Sequence, residues 1–150
     1  KKAITNKNWK KTKIDPIIAV NDVDSSAKWY EDIFGFKNSS PKGHGFAVLK
    51  SETNEIVLCL HQWEMDDHPT MTDPSITPGN GLMLYFRTNN LDKIYKRAKN
   101  SGCRIEEDIH LNPRPNKKEF ALRDPDGYFL TVSEYHEYGK WKRKPVANNV

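Results

Sequence analysis

The sequence predicts an α+β domain of paired βαβββ modules, in which a curved mixed sheet surrounds a cavity and the helices lie on its outer face. Two observations carry that prediction. A strand–helix–glycine pattern occurs twice, and its glycine stops, Gly35 and Gly102, are 67 residues apart. The strand-like stretches also split by alternation into one uniformly apolar face and one mixed face, as expected of a sheet covered on one side only.

The first copy opens with the apolar stretch IDPIIAV, residues 14–20. Asp24 or Ser25 then offers a helix N-cap. Val23, Ala27, Tyr30 and Phe34 recur at helical spacing, and Gly35 suits the C-terminal stop. Strands follow near GFAVLKS and EIVLCLHQ, parted by the hairpin signal ETN. The second copy opens with LMLYFRT, residues 82–88. Asn90 is its cap, and Leu91, Ile94, Tyr95 and Ala98 form the apolar helical face before Gly102. CRIEEDIH, KEFALRD and YFLTVSE are the remaining strands, and the turn residues Asp124, Pro125, Asp126 and Gly127 precede the last. The modules thus occupy about 14–62 and 81–138 of one domain, 14–138. Residues 63–80 form a polar, proline-containing linker that is also a lid candidate.

The net charge of +4 is unevenly placed. Residues 1–13 carry six lysines, and residues 139–150 carry three lysines and Arg143, with no acid in either tail. Removing those ten from 24 basic residues leaves 14 against 20 acids, a net of −6 for the body. The tails, with Trp9 and Trp141, read as solvated basic arms lying on an acidic body, so neither nucleic acid nor membrane is an expected partner. No window approaches eighteen apolar residues and no secretory signal is evident, which makes cytoplasmic the expected location. Cys59 and Cys103 form no CxxC pair and no disulfide framework. No phosphate-binding glycine loop and no GxSxG elbow occurs.

Alternation assigns Ile18, Val20, Cys59, Phe86, Leu130 and Val132 to the helix-covered face. Asp15, Ile17, Leu58, Met83, Tyr85, Arg87 and Thr131 fall on the other, whose apolar walls and few polar fixtures have the composition of a small-molecule pocket. Trp63, at the linker entrance, and Phe120 are candidate stacking walls for a planar ligand. Arg87 is placed either to dock a carboxylate or phosphate or to form a salt bridge at the rim. Asp15 is either a general base or a carboxylate paired across the cavity with Arg87.

Three segments, PIIAVNDVDSSAKWYEDIFGF, YFRTNNLDKIYKRAKNSG and RDPDGYFLTVSEY, resemble in order and spacing the vicinal oxygen chelate superfamily. That family includes glyoxalase I, extradiol dioxygenases, fosfomycin-modifying enzymes and the bleomycin-resistance binding proteins. The resemblance spans about residues 14–136 and implies a cavity-facing ligand position on each of four strands, filled by His, Glu or Gln in metal-dependent members. Carried onto this chain, those positions are Asp15, Leu58 or a near neighbour, Met83 and Thr131. They cannot supply the three or four donors a divalent metal needs.

The resemblance to bleomycin-resistance-like members therefore implies a metal-free homodimer that sequesters a small organic ligand or antibiotic, with no cofactor and no catalytic residue. Its expected ligand contacts are Asp15, Leu58, Trp63, Met83, Tyr85, Arg87, Phe120 and Thr131. The rival reading is a metal-dependent lyase or dioxygenase with an atypical ligand set. His61, Glu64, Asp66, Asp67 and His68 hold further donors, but in a loop they read first as a solvated acidic turn. His61, at opposite parity to Leu58, is expected to point away from the cavity.

Overall fold

Pro16 has no N–H to give a sheet, and the first strand begins immediately after it. In the computed structural model, which describes residues 12–66 and 68–138, β1 spans Ile17–Val20, shorter than the apolar stretch suggests. The Pro16 carbonyl still joins the ladder, accepting from the Cys59 N–H at 2.8 Å. Helix α1 follows at Val23–Phe34. Its N-cap is Asp22, not Asp24 or Ser25: the Asp22 carboxylate accepts the Ser25 N–H at 3.0 Å, while Asp24 sits in the first turn. Gly35 ends the helix at φ 75°, donating to the Glu31 carbonyl.

Three strands complete the first module: β2 at Lys37–Asn38, β3 at Phe46–Lys50 and β4 at Ile56–Gln62. The two-residue β2 carries too little pattern to be read from sequence. In the second module β5 spans Leu84–Thr88, α2 Leu91–Asn100, β6 Ile105–Asn112, β7 Lys117–Arg123 and β8 Phe129–Glu134. Asn90 precedes α2 without capping it through its side chain.

The two modules have the same topology. Their sheets run β1-β4-β3-β2 and β5-β8-β7-β6, with β1–β4 and β5–β8 parallel and the other pairs antiparallel. The curved sheet is thus two four-stranded mixed sheets, not closed into one. One continuous core runs under both helices, from Ile18, Tyr30 and Leu60 to Phe120, Leu130 and Val132. At the junction Phe34 of α1 meets Phe86 of β5 with ring centroids 4.8 Å apart.

The turn after β7 clamps the modules together. Tyr30 Oη donates to Asp124 Oδ2 at 2.7 Å, the Asn21 N–H donates to Asp126 Oδ1 at 2.8 Å, and Tyr128 Oη donates to the Ala19 carbonyl at 2.8 Å. No helix among the described residues is long and apolar enough to cross a membrane. The expected basic tails fall almost wholly on residues 1–11 and 139–150, and these, like Asp67, lie outside the described residues.

Candidate ligand-binding site

The face of each sheet turned away from the helices carries the candidate site. On the second sheet its register is as the alternation requires: Tyr85 lies opposite Thr131, and Arg87 opposite Ser133. On the first sheet β4 departs from it. Leu58 pairs with core Leu49, and Leu60 with core Ala47 and Ile18; the bulge, where Lys50 pairs with Ile56, lies just ahead of that regular stretch. Leu58 and Leu60 consequently lie in the core, fully buried. Cys59 and His61 take the open face, in register with Ile17 and Ala19. The expectations that Leu58 lines the cavity and that His61 leaves it are both reversed.

Phe120 is also displaced from the expected site. It pairs with Val132 on the helix side and packs edge-on against Tyr95 of α2 at 5.1 Å. The signal was present in the strand pairing, since Val132 was itself assigned to the helix-covered face.

Two hollows flank the open face. One, of about 520 Å³, runs along the seam of the modules between Ile14, Pro16 and Val57 on one side and Met83, Tyr85 and Arg87 on the other. The second, of about 380 Å³, lies beneath the linker, where Trp63, Met71, Ile76 and Leu82 close over Ile17, Ala19 and Tyr128. Both walls are mainly apolar with a few polar groups, the composition typical of small-molecule sites. Gly79 lets the linker pass Tyr128: it sits at φ 67°, and a Cβ there would lie 2.9 Å from the ring.

Met83 and Asp15 stand just ahead of β5 and β1, and both are exposed. Arg87 is held by its own module. It donates to the His136 carbonyl at 2.8 Å, lies 3.8 Å from Glu137, and stacks its guanidinium on the rings of Tyr135 and Tyr138.

A polar cluster beside these residues was missed from sequence. Buried Glu119 of β7 accepts from Tyr85 Oη at 3.3 Å and from Asn112 Nδ2 at 3.2 Å, and lies 3.5 Å from His110 Nε2. His136 Nε2 is 3.1 Å from Tyr85 Oη. Burial pushes the Tyr85 phenol above its ordinary value. An acid alternating with Ala121 on the open face of β7 was the available signal, and the uncertain phase of that strand obscured it.

Residues 13–132 match the Glyoxalase/Bleomycin resistance protein/Dioxygenase superfamily. The chain belongs to that superfamily. It is 23% identical to virulence protein STM3117 of Salmonella typhimurium over 121 residues, 79% of this chain and 81% of that protein. Among solved structures, TioX from Micromonospora sp. ML1 superposes with a TM-score of 0.67 at 14% identity, over 84% of this chain and all (100%) of that one. A bleomycin resistance determinant encoded on transposon Tn5 gives 0.60 at 23% identity, over 85% and 100% of the two chains. At these identities the likeness shows the fold.

Resemblance to the superfamily's metal-dependent members implies a divalent ion held at four inward strand positions. Here, with Cys59 and not Leu58 on the open face of β4, those positions carry Asp15, Cys59, Met83 and Thr131. Burial and the nearby Asp15 carboxylate push the Cys59 thiol up. One exposed carboxylate and one thiol are the good donors here, and with a thioether and a neutral hydroxyl beside them they fall short of the three a zinc, iron, nickel or manganese centre needs. The residues do not fit that ion, and no metal-centred chemistry follows from them.

Proposed function

We propose that this superfamily member binds a small organic molecule in the cleft along the seam of its modules and releases it unchanged, without a metal at the four strand positions. The observation that carries this reading is the donor set just described, beside an apolar hollow large enough for a drug-sized guest. Met83, Tyr85 and Arg87 are its contact residues in this reading, with Thr131 opposite Tyr85 in the sheet and Asp15 at the entrance, while Trp63 walls the neighbouring hollow beneath the linker. The net of −6 over the body favours a cationic guest, and an antibiotic is one such class. Exposed Ile17, Leu82 and Met83 beside the cleft support a homodimer in which a second copy covers them. Two free cysteines fit a reducing, cytoplasmic setting. A metal-dependent lyase or dioxygenase finds no support in these four positions.

The test is a thermal-shift screen of the full chain against antibiotics and small aromatic acids, since a guest that binds the native state raises its melting temperature. The expected result is a guest whose stabilising effect is lost in Met83→Glu and which is recovered intact after incubation with added manganese, iron, nickel or zinc. Consumption of the guest only when one of those metals is present rejects the reading.

A further inference from the structure

We propose that His61, Asp66 and His68 form a site for a divalent transition-metal ion, of zinc type, fastening the linker to β4. The site is separate from the four strand positions and does not depend on the function proposed above. His61 is buried, at 5% exposure, on the open face of β4. Its Nδ1 lies 2.7 Å from the Gln62 carbonyl, which can only accept, so Nδ1 carries the hydrogen. In the neutral ring the lone pair is then on Nε2, fixed in direction by that backbone bond, as is usual for metal-binding histidines.

Nε2 faces Asp66 Oδ2 at 3.5 Å. Two lone pairs aimed at each other repel unless a cation lies between them. A proton would bridge two atoms, but a third donor converges here: the His68 ring lies 5.0 Å from that of His61 at 71°. One ligand atom from each of the three residues lies within 4.8 Å of the others. Around a tetrahedral zinc with bonds of about 2.0–2.1 Å, neighbouring donors stand about 3.3 Å apart. The His61–Asp66 separation, 3.5 Å, is already close to that value, and the widest pair, within 4.8 Å, must close by at most about 1.5 Å.

The loop can make that adjustment, because Asp66 and His68 are exposed. Its ends are also fixed: the Glu64 N–H donates to the Met71 carbonyl and the Met71 N–H to the His68 carbonyl, each at 2.8 Å. Two imidazoles and one carboxylate leave at least one coordination position open to water or a guest. Because His68 adjoins Pro69, which lines the hollow under the linker, an ion here would hold one wall of that hollow in place.

The experiment uses the untagged full chain, stripped of metal and titrated with cobalt(II) by visible absorption and with zinc by competition. One equivalent is expected per chain. Asp66→Asn and His68→Gln, both exposed positions and checked for fold by circular dichroism, should each weaken binding by at least about tenfold. His110→Gln, which alters another histidine lying near carboxylates, should leave it unchanged. Substoichiometric binding to the wild type, or affinity unchanged in both loop variants, overturns the proposal.

Discussion

The Tyr30 hydroxyl of α1 donates to the Asp124 carboxylate at 2.7 Å, across 94 residues of chain and between the two modules. Tyr30 is completely buried and Asp124 nearly so, and the same carboxylate also accepts the N–H groups of Asp126 and Tyr128 at 2.9 Å. The modules are therefore joined by a shared core and also by a buried polar clamp whose members are all satisfied. Removing one member leaves the rest desolvated. Tyr30→Phe is expected to lower stability by about 1–3 kcal/mol, measured by urea unfolding. An unchanged midpoint would show that water replaces the phenol.

Burial raises the Asp124 carboxyl, with the bonds from Tyr30 and Tyr128 opposing that rise. Its folded value therefore lies above its unfolded one, and the native state holds the proton more tightly. Its contribution to stability becomes more favourable as pH falls through the folded value, and is complete below the ordinary value of 3.8. The stability of the wild type relative to Asp124→Asn should rise as pH is lowered from neutral towards 4. A difference that stays flat or falls contradicts the assignment.

Tyr128 gives the opposite limb. Burial, then the negative charges of Asp124 and Asp126, push its phenol up to about 12. The stability it contributes is complete below pH 10 and is lost as pH rises through about 12. Difference absorbance titration of wild type against Tyr128→Phe should show no phenol of ordinary value missing from the variant. A missing component near pH 10 would mean the Ala19 contact is open to solvent.

Gly79 is where the linker wall passes close to Tyr128. Alanine there combines a left-handed backbone at φ 67° with a Cβ 2.9 Å from the Tyr128 ring. Gly79→Ala should cost about 1–3 kcal/mol and displace Tyr128, raising its fluorescence quenching by acrylamide. Wild-type stability and quenching in the variant would show that the linker swings aside freely.

Ser26 lies on the buried face of α1 with its hydroxyl unpartnered among the described residues. Replacing it by alanine removes a desolvated hydroxyl and improves helix propensity by up to about 0.7 kcal/mol. Ser26→Ala is expected to raise the melting temperature, and a fall would reveal a partner for that hydroxyl.

The duplication was legible because both copies announce themselves locally. Gly35 stops α1 through a left-handed conformation that side chains resist, and the apolar faces of both helices follow the 3.6-residue period of any helix resting on a sheet. The phase of β5 and β8 was legible for a similar reason: Tyr85, Arg87, Thr131 and Ser133 alternate with apolar Leu84, Phe86, Leu130 and Val132. The stretch IVLCL offers no such contrast. Every residue in it is apolar, so its facing is set by its register against β1 and β3, a property of the pairing and not of the strand itself.

The amino-acid order alone determined the doubled architecture and the acidic body, because periodicity and composition are local quantities. Tertiary structure decided that Leu58 is core and Cys59 is not, that Glu119, Tyr85 and His136 meet, and that two linker residues close on His61. Those outcomes depend on the register in which strands pair and on how a loop folds back. Both are fixed by contacts between segments far apart in the chain, which no window of sequence contains.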